Sequence, residues 1–225
     1  MGQLRMITQN LNRNFYHKYM CQYQADIYAF QESKTGRSAI TEILNKESQD
    51  YIIEYNGNDR VHELSLEYFP WWEFRSGYWM EEHILYQNKK IILINIHISP
   101  YYSTFLRFLL LKRLEDLEKK NVILLGDFNA AFDYQSENSV PENHAYLDYL
   151  TKTYDYVELC SKEEKVRAHY TYFDQKNNHW KKLDHIFVSK TLFEQLKEYQ
   201  ITYIDEVCQN SIHTDHSGIQ LTFRI

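Results

Sequence analysis

Six stretches of this chain put acids, amides or imidazoles at the ends of apolar runs. Asn10 and Asn12 follow one run in ITQNLN, and Gln31 and Glu32 follow another in IYAFQES. His97 closes ILINIH, and Asp127 and Asn129 close NVILLGDFN. Asp184 and His185 open LDHIFVS, while Asp215 and His216 precede the last run in SIHTDHSGI. At NVILLGDFNA two readings stand side by side. Gly, Asp and Asn are common turn formers. An acid and an amide at the carboxyl end of a central strand, where open α/β sheets place ligands, also make a metal and phosphate site. Each residue alone has a plain reading as well. Asn10 fits a turn, Glu32 a helix-entry acid, His97 a strand edge beside Ser99 and Pro100, and Asp184 an ion pair with His185. His213, Asp215 and His216 resemble part of a zinc site, but no third or fourth soft ligand follows at a defined spacing, which puts magnesium ahead of zinc.

These side chains need strands to hold them. The apolar runs predict strands at Leu4–Thr8, Ile27–Phe30, Tyr51–Glu54, Ile84–Tyr86, Ile91–Ile96, Val122–Leu125, Tyr170–Phe173, Ile186–Val188 and Ile219–Phe223. Helical spacing marks Thr104–Lys119, a segment around Ile40, Ile43 and Leu44, and another around Tyr146, Leu147 and Leu150. Thr191 and Glu194 have capping-box spacing for a helix running toward Glu198. QNKK reads as a hairpin turn, and KNNHWKK as a hairpin joining Tyr170–Phe173 to Ile186–Val188 with Asn177-Asn178 at the turn. Hairpins mixed with crossover helices predict mixed sheets in an α/β (α+β) domain. No repeat, low-complexity tract or Gly/Ser linker divides residues 1–225, so one domain is expected.

Composition narrows the function. With 44% hydrophobic residues the chain can build a sizeable core. Its 20 tyrosines supply rings with a polar tip for half-buried and stacking surfaces. A net charge of −6 argues against tight, non-specific duplex binding by bulk electrostatics. A phosphate substrate stays open, because a bound divalent cation can supply local positive charge. Cys21, Cys160 and Cys208 are scattered and odd in number, which fits a reducing cytoplasm better than a disulfide framework. Met1 leads straight into LRMITQN, with no apolar stretch of signal-peptide type, and no segment has the apolar length for stable membrane insertion.

Taken in order, ITQNLN, FQES, NIHISP, GDFNA, LDHIFVS and TDHSG resemble the endonuclease/exonuclease/phosphatase superfamily, which includes deoxyribonuclease I, exonuclease III-like enzymes, sphingomyelinases and inositol polyphosphate phosphatases. The resemblance runs over almost the whole chain, and GDFNA, LD and TDH are its most specific parts. It implies a four-layer sandwich, two mixed β-sheets packed face to face with helices outside. It further implies that Glu32 is the principal metal ligand, with Asn10 beside it and Asp215 supporting the metal side. Hard oxygen ligands of this kind suit Mg²⁺, or Mn²⁺ in its place. Asp127 and Asn129 match the pair that positions water and holds a phosphate oxygen. His216 matches the histidine at the phosphoryl group, with Asp184 orienting its ring. His97 matches the histidine branch of the superfamily, as a general acid, and Glu82 is a candidate to orient it from the next strand.

The resemblance favours a phosphodiesterase acting on nucleic acid. Tyr101 and Tyr102 are candidates to stack bases, and Lys181 and Lys182 to meet backbone phosphates. The alternative substrate is a small phosphate ester, an inositol phosphate or a phospholipid headgroup, with Trp71, Trp72 and Phe74 as an exposed aromatic loop. KKLDHIFVS lacks the Arg-containing signature of inositol phosphatases, which lowers that branch. A non-enzymatic binding module is the third reading, disfavoured because every matched position carries a chemically competent residue. DNA versus RNA and the oligomeric state carry no signal in the sequence.

Overall fold

In the computed structural model, which describes residues 2–13, 20, 22–35, 38–45, 51–72, 74, 76–132, 141–161, 170–176, 178–205 and 214–225, the apolar runs form strands of two mixed sheets. The smaller sheet has the order β12 (Glu198–Ile204), β13 (Gly218–Arg224), β1 (Leu4–Asn10), β2 (Ile27–Thr35) and β3 (Ser38–Asn45). The larger runs β4 (Tyr51–Asn56), β5 (Trp79–Tyr86), β6 (Lys89–His97), β7 (Val122–Asp127), β11 (Asp184–Ser189) and β8 (Tyr156–Glu158). β1 is parallel to β2 and β6 to β7, and the other pairs within these sheets are antiparallel. A short ribbon of β9 (Tyr172–Asp174) and β10 (His179–Lys181) stands apart.

Alternate residues of a strand face opposite ways, and both faces of the central strands are apolar. Met6, Ile27, Ala29 and Leu221 meet Leu93, Ile123, Leu125 and Ile186 in one core between the sheets. The opposite face of the larger sheet carries Ile92, Ile94, Ile96, Val122, Leu124 and Phe187. Covering it are α1 (Asn58–Tyr68), α2 (Ser103–Asp116) and α3 (Pro141–Lys152), through Val61, Leu106, Leu110 and Leu147. On the outer face of the smaller sheet, Ile7, Tyr28 and Phe30 pack with Leu11, Met20 and Ala25. Each such aliphatic side chain contributes about 1.5–3 kcal/mol on full burial, so the central strands are rigid supports for what stands at their ends.

Several local expectations change. Ile40, Ile43 and Leu44 lie on β3, not a helix. A bulge in β2 between Phe30 and Ser33 shifts the β3 register, and pairing with the open edge of β2 overrides the helical spacing. Ser189, not Thr191, caps α4 (Lys190–Phe193) by accepting from the Leu192 amide, and the chain turns into β12 at Glu198. The QNKK hairpin joins β5 to β6, with Gln87 at φ 49° and Asn88 at φ 61° supplying a turn that matches strand twist. The second hairpin joins β9 to β10, whereas Ile186–Val188 pairs with β7 and β8. Asn178 has φ 53° there, and Asn177 lies outside the described residues, as do Cys21, Cys208 and His213. Neither α1 nor β12 was legible, since α1 buries only Val61, Leu64 and Ser65.

Gly126 explains the glycine in GDFNA. Its φ is +128°, and a Cβ there would stand 2.1 Å from the Ile96 carbonyl oxygen of the parallel neighbour β6. Only glycine allows both the angle and the approach. Gly126→Ala is expected to cost about 3 kcal/mol or more, read as a lower urea midpoint. An unchanged midpoint would contradict the backbone conformation.

Candidate active site

Where the inner faces reach one end of the sandwich, the same alternation continues but the side chains turn polar. Met6 gives way to Thr8 and Asn10, Ala29 to Gln31, Leu93 to Asn95 and His97, and Leu125 to Asp127. Strand register does the assembly. β6 and β7 set His97 beside Asp127, and β7 and β11 set Asp127 beside Asp184. Three adjacent strands thus present imidazole, carboxylate and carboxylate in a row. From the smaller sheet, Asn10 lies beside Gln31, one residue before Glu32.

The side chains close around this row. Asn10 Nδ2 donates to Asp127 Oδ2 at 2.9 Å and to Glu32 Oε1 at 3.3 Å. His97 Nε2 is 3.5 Å from Glu32 Oε1 and 3.9 Å from Asp127 Oδ2. The Asn129 amide donates to Asp127 Oδ1 at 2.8 Å, and its Nδ2 donates to Asp127 Oδ2 at 3.1 Å and the Ile98 carbonyl at 3.0 Å. His216 Nδ1 lies 2.8 Å from Asp184 Oδ2. Glu32 (φ 47°) and Asn129 (φ 45°) both adopt the left-handed conformation, which is uncommon for such residues and clusters at functional sites. Glu32 stands within the β2 bulge that lifts it out of the ladder.

Burial and like charge push the Asp127 carboxyl up to about 6, the second cause being Asp184, partly offset by His216 and His97. Burial opposes charge on His216 too, but Asp184, then Asp127 and Asp215, outweigh it and raise the imidazole to about 10. A histidine raised from its ordinary 6.5 stabilises the fold fully below that pH and loses the contribution as pH climbs through about 10. Metal-free protein is therefore expected to keep a protonated His216 ring at pH 8, seen by NMR titration, and Asp184→Asn to bring its deprotonation to lower pH. An unmoved titration in Asp184→Asn would contradict the pairing.

Oxygen donors dominate the site. Glu32, His97 and Asp127 form one group able to converge on a cation, and Asp127, Asp184 and His216 a second, among the described residues. Carboxylates gathered at this density, with the Asp127 proton held tightly, fit a hard divalent ion. Asn10 Oδ1 accepts from the Asn12 amide at 2.8 Å, while its NH₂ tethers the two acids. Asp215 Oδ1 accepts from Asn12 Nδ2 at 3.0 Å and is 3.9 Å from His216 Nε2.

Three expectations fail on placement. Glu82 pairs in register with Leu93, four residues along β6 from His97, so about 13 Å of strand separates them. Lys182 is fully buried with its Nζ 2.9 Å from Glu158 Oε1, out of reach of a backbone phosphate. Asp184 does not pair with His185, whose ring faces the other side of β11 and bonds Glu158 and the Ala130 carbonyl. Sequence reasoning passed over two supports. Asn95, a buried amide two residues before His97, spans the sheets by accepting from Gln31 Nε2 at 2.5 Å and donating to the Phe30 carbonyl at 3.0 Å. Thr171 accepts from the amides of Leu183 and Asp184, fixing the start of β11. A polar residue at an inward position of an otherwise aliphatic strand was the available signal for Asn95.

Similar solved structures span nearly the whole chain. The catalytic domain of Xenopus laevis APE2 aligns with a TM-score of 0.70 at 14% identity, over 98% of this chain and 91% of that one. The 3′-5′ exonuclease NExo from Neisseria meningitidis gives 0.68 at 16%, over 99% and 100%. The endonuclease domain of TRAS1, a telomere-specific non-LTR retrotransposon, gives 0.68 at 13%, over 99% of both. The chain has the deoxyribonuclease I-like fold. At these identities the likeness is one of fold, and no family model matches the sequence. The deoxyribonuclease I-like sandwich accounts for the two mixed sheets and for the gathering of polar strand ends at one edge. Among the described residues no helix is long and apolar enough to cross a membrane.

Proposed function

We propose that this chain, acting as one domain, is a divalent-metal-dependent phosphodiesterase whose substrate is nucleic acid. The observation that carries the reading is the register of His97, Asp127 and Asp184 on adjacent strands, with Glu32 and His216 closing over them. Glu32 would hold Mg²⁺ or Mn²⁺; bound there, the cation would polarise a phosphate oxygen and offset developing charge. Asp127, fixed by both nitrogens of Asn129, orients the attacking water and takes its proton. His216, kept charged by Asp184, stabilises the phosphoryl oxygens. His97 hands a proton to the departing oxygen as the phosphorus–oxygen bond breaks. Cys160 is buried and free, which suits the reducing cytoplasm expected from the sequence.

Nucleases among the structures of this fold support nucleic acid as the substrate. The test is a panel of DNA, RNA, inositol phosphates and phospholipids with Mg²⁺ and with EDTA. Mg²⁺-dependent cleavage of DNA or RNA is expected; turnover confined to inositol phosphate or phospholipid would overturn the nucleic-acid assignment.

A further inference from the structure

A row of aromatic rings leads from His97 to the surface. The Tyr78 ring centroid is 6.1 Å from that of His97, and Tyr102 is 5.6 Å from Tyr78. Trp72 follows 6.0 Å from Tyr102, the two rings inclined by 33°. Beyond it Phe105 stacks 6.0 Å from Trp72, and Phe69 links Phe105 to Trp71. Phe105 belongs to α2 and Phe69 ends α1, so the outer rings are anchored by two helices. The outer end remains open: Trp71 is 72% exposed, and Tyr102 within the row is 37% exposed.

Duplex capture rests on Lys and Arg neutralising phosphates, yet Lys182 is buried on Glu158 and Lys181 Nζ is held 3.1 Å from Asp174. The whole chain carries −6. Rings thus run from His97 to the surface, while the two lysines nearest Asp184 in sequence are engaged elsewhere and Arg13 Nε lies 3.3 Å from Glu32 Oε2.

We propose that this row is a stacking platform for unpaired bases, making single-stranded nucleic acid the preferred substrate over duplex. The proposal rests on the phosphodiesterase reading. Stacking needs a free base face, which a duplex hides and a single strand offers at every nucleotide. One base–aromatic stack changes affinity by about ten- to a hundredfold. Exposed Trp and Tyr also occur at membrane interfaces, but here the rings connect directly to the ring of the proposed general acid, and the net charge opposes anionic lipid.

The test uses the full chain, its Trp71→Ala variant and its Trp71→Phe variant. Binding is read by anisotropy of labelled oligothymidylate and of a matched duplex, and turnover with Mg²⁺ on the same oligonucleotides and on a thymidine dinucleotide. Wild type is expected to bind the single strand at least about tenfold more tightly than the duplex. The Ala variant is expected to raise KM on the single strand about tenfold or more, leaving kcat and dinucleotide turnover unchanged, with the Phe variant restoring KM. Equal affinity for the two forms, or an Ala variant with unchanged KM and binding, would overturn the platform. Co-sedimentation of wild type with phosphatidylcholine vesicles, lost in the Ala variant, would overturn it in favour of a bilayer. Ring-dependent single-strand binding without hydrolysis of any phosphodiester would support the platform and overturn the active-site reading instead.

Discussion

Replacing Glu32 with Gln is expected to abolish metal-dependent hydrolysis, with no recovery on adding Mg²⁺ or Mn²⁺. Glu32 is held in a left-handed conformation inside a β-bulge, tethered by Asn10 and facing His97. Glutamine keeps the shape and removes the charge. The variant is expected to fold as wild type does, because Glu32 is partly exposed and fills no core volume. Electron paramagnetic resonance of Mn²⁺ added to metal-free protein separates binding from turnover. Wild type should deplete the free-ion signal, and Glu32→Gln should leave it. A variant that binds Mn²⁺ as wild type does and still hydrolyses substrate would place the ion elsewhere.

The second large effect belongs to the two histidines. His97→Ala and His216→Ala should each lower kcat by about 10²–10⁴-fold, the range for proton transfer and for electrostatic stabilisation. The double variant should lose far less than the product of the two, since members of one catalytic unit are not additive. Leaving-group chemistry separates the roles. With a nitrophenolate ester, whose departing oxygen needs no proton, His97→Ala should regain most of its rate, while His216→Ala should not. Near-normal turnover of an ordinary phosphodiester by His97→Ala would remove the general-acid assignment.

Much of this site was legible because strand periodicity and site chemistry share a face. Asn10, His97 and Asp127 close, and Asp184 opens, strands whose other inward positions are largely aliphatic, so a polar residue at the end of an apolar run marked each of them. Lys182 and Glu82 misled because sequence adjacency does not reveal facing. Lys182 lies two residues before Asp184 and yet turns into the interior toward Glu158, while Glu82 sits on the correct strand but four positions from the level of His97. Asn10's amide oxygen accepts from the Asn12 amide two residues on, the Asx turn that the plain reading of Asn10 as a turn residue allows. β3 was hidden. Its pairing depends on the bulge in β2, a tertiary event that overrode the helical spacing of Ile40, Ile43 and Leu44.

The row formed by His97, Asp127 and Asp184 is proposed to hydrolyse phosphodiesters with a divalent ion. The most direct measurement follows one sample of wild type and one of Asp127→Asn on a single-stranded oligonucleotide, first in EDTA and then after excess Mg²⁺. Neither protein is expected to cleave in EDTA; once Mg²⁺ is present wild type should cleave rapidly, and Asp127→Asn should be slower by about 10²-fold or more. Cleavage in EDTA at the full rate, or an Asp127→Asn variant as fast as wild type with Mg²⁺, would contradict this role for the row.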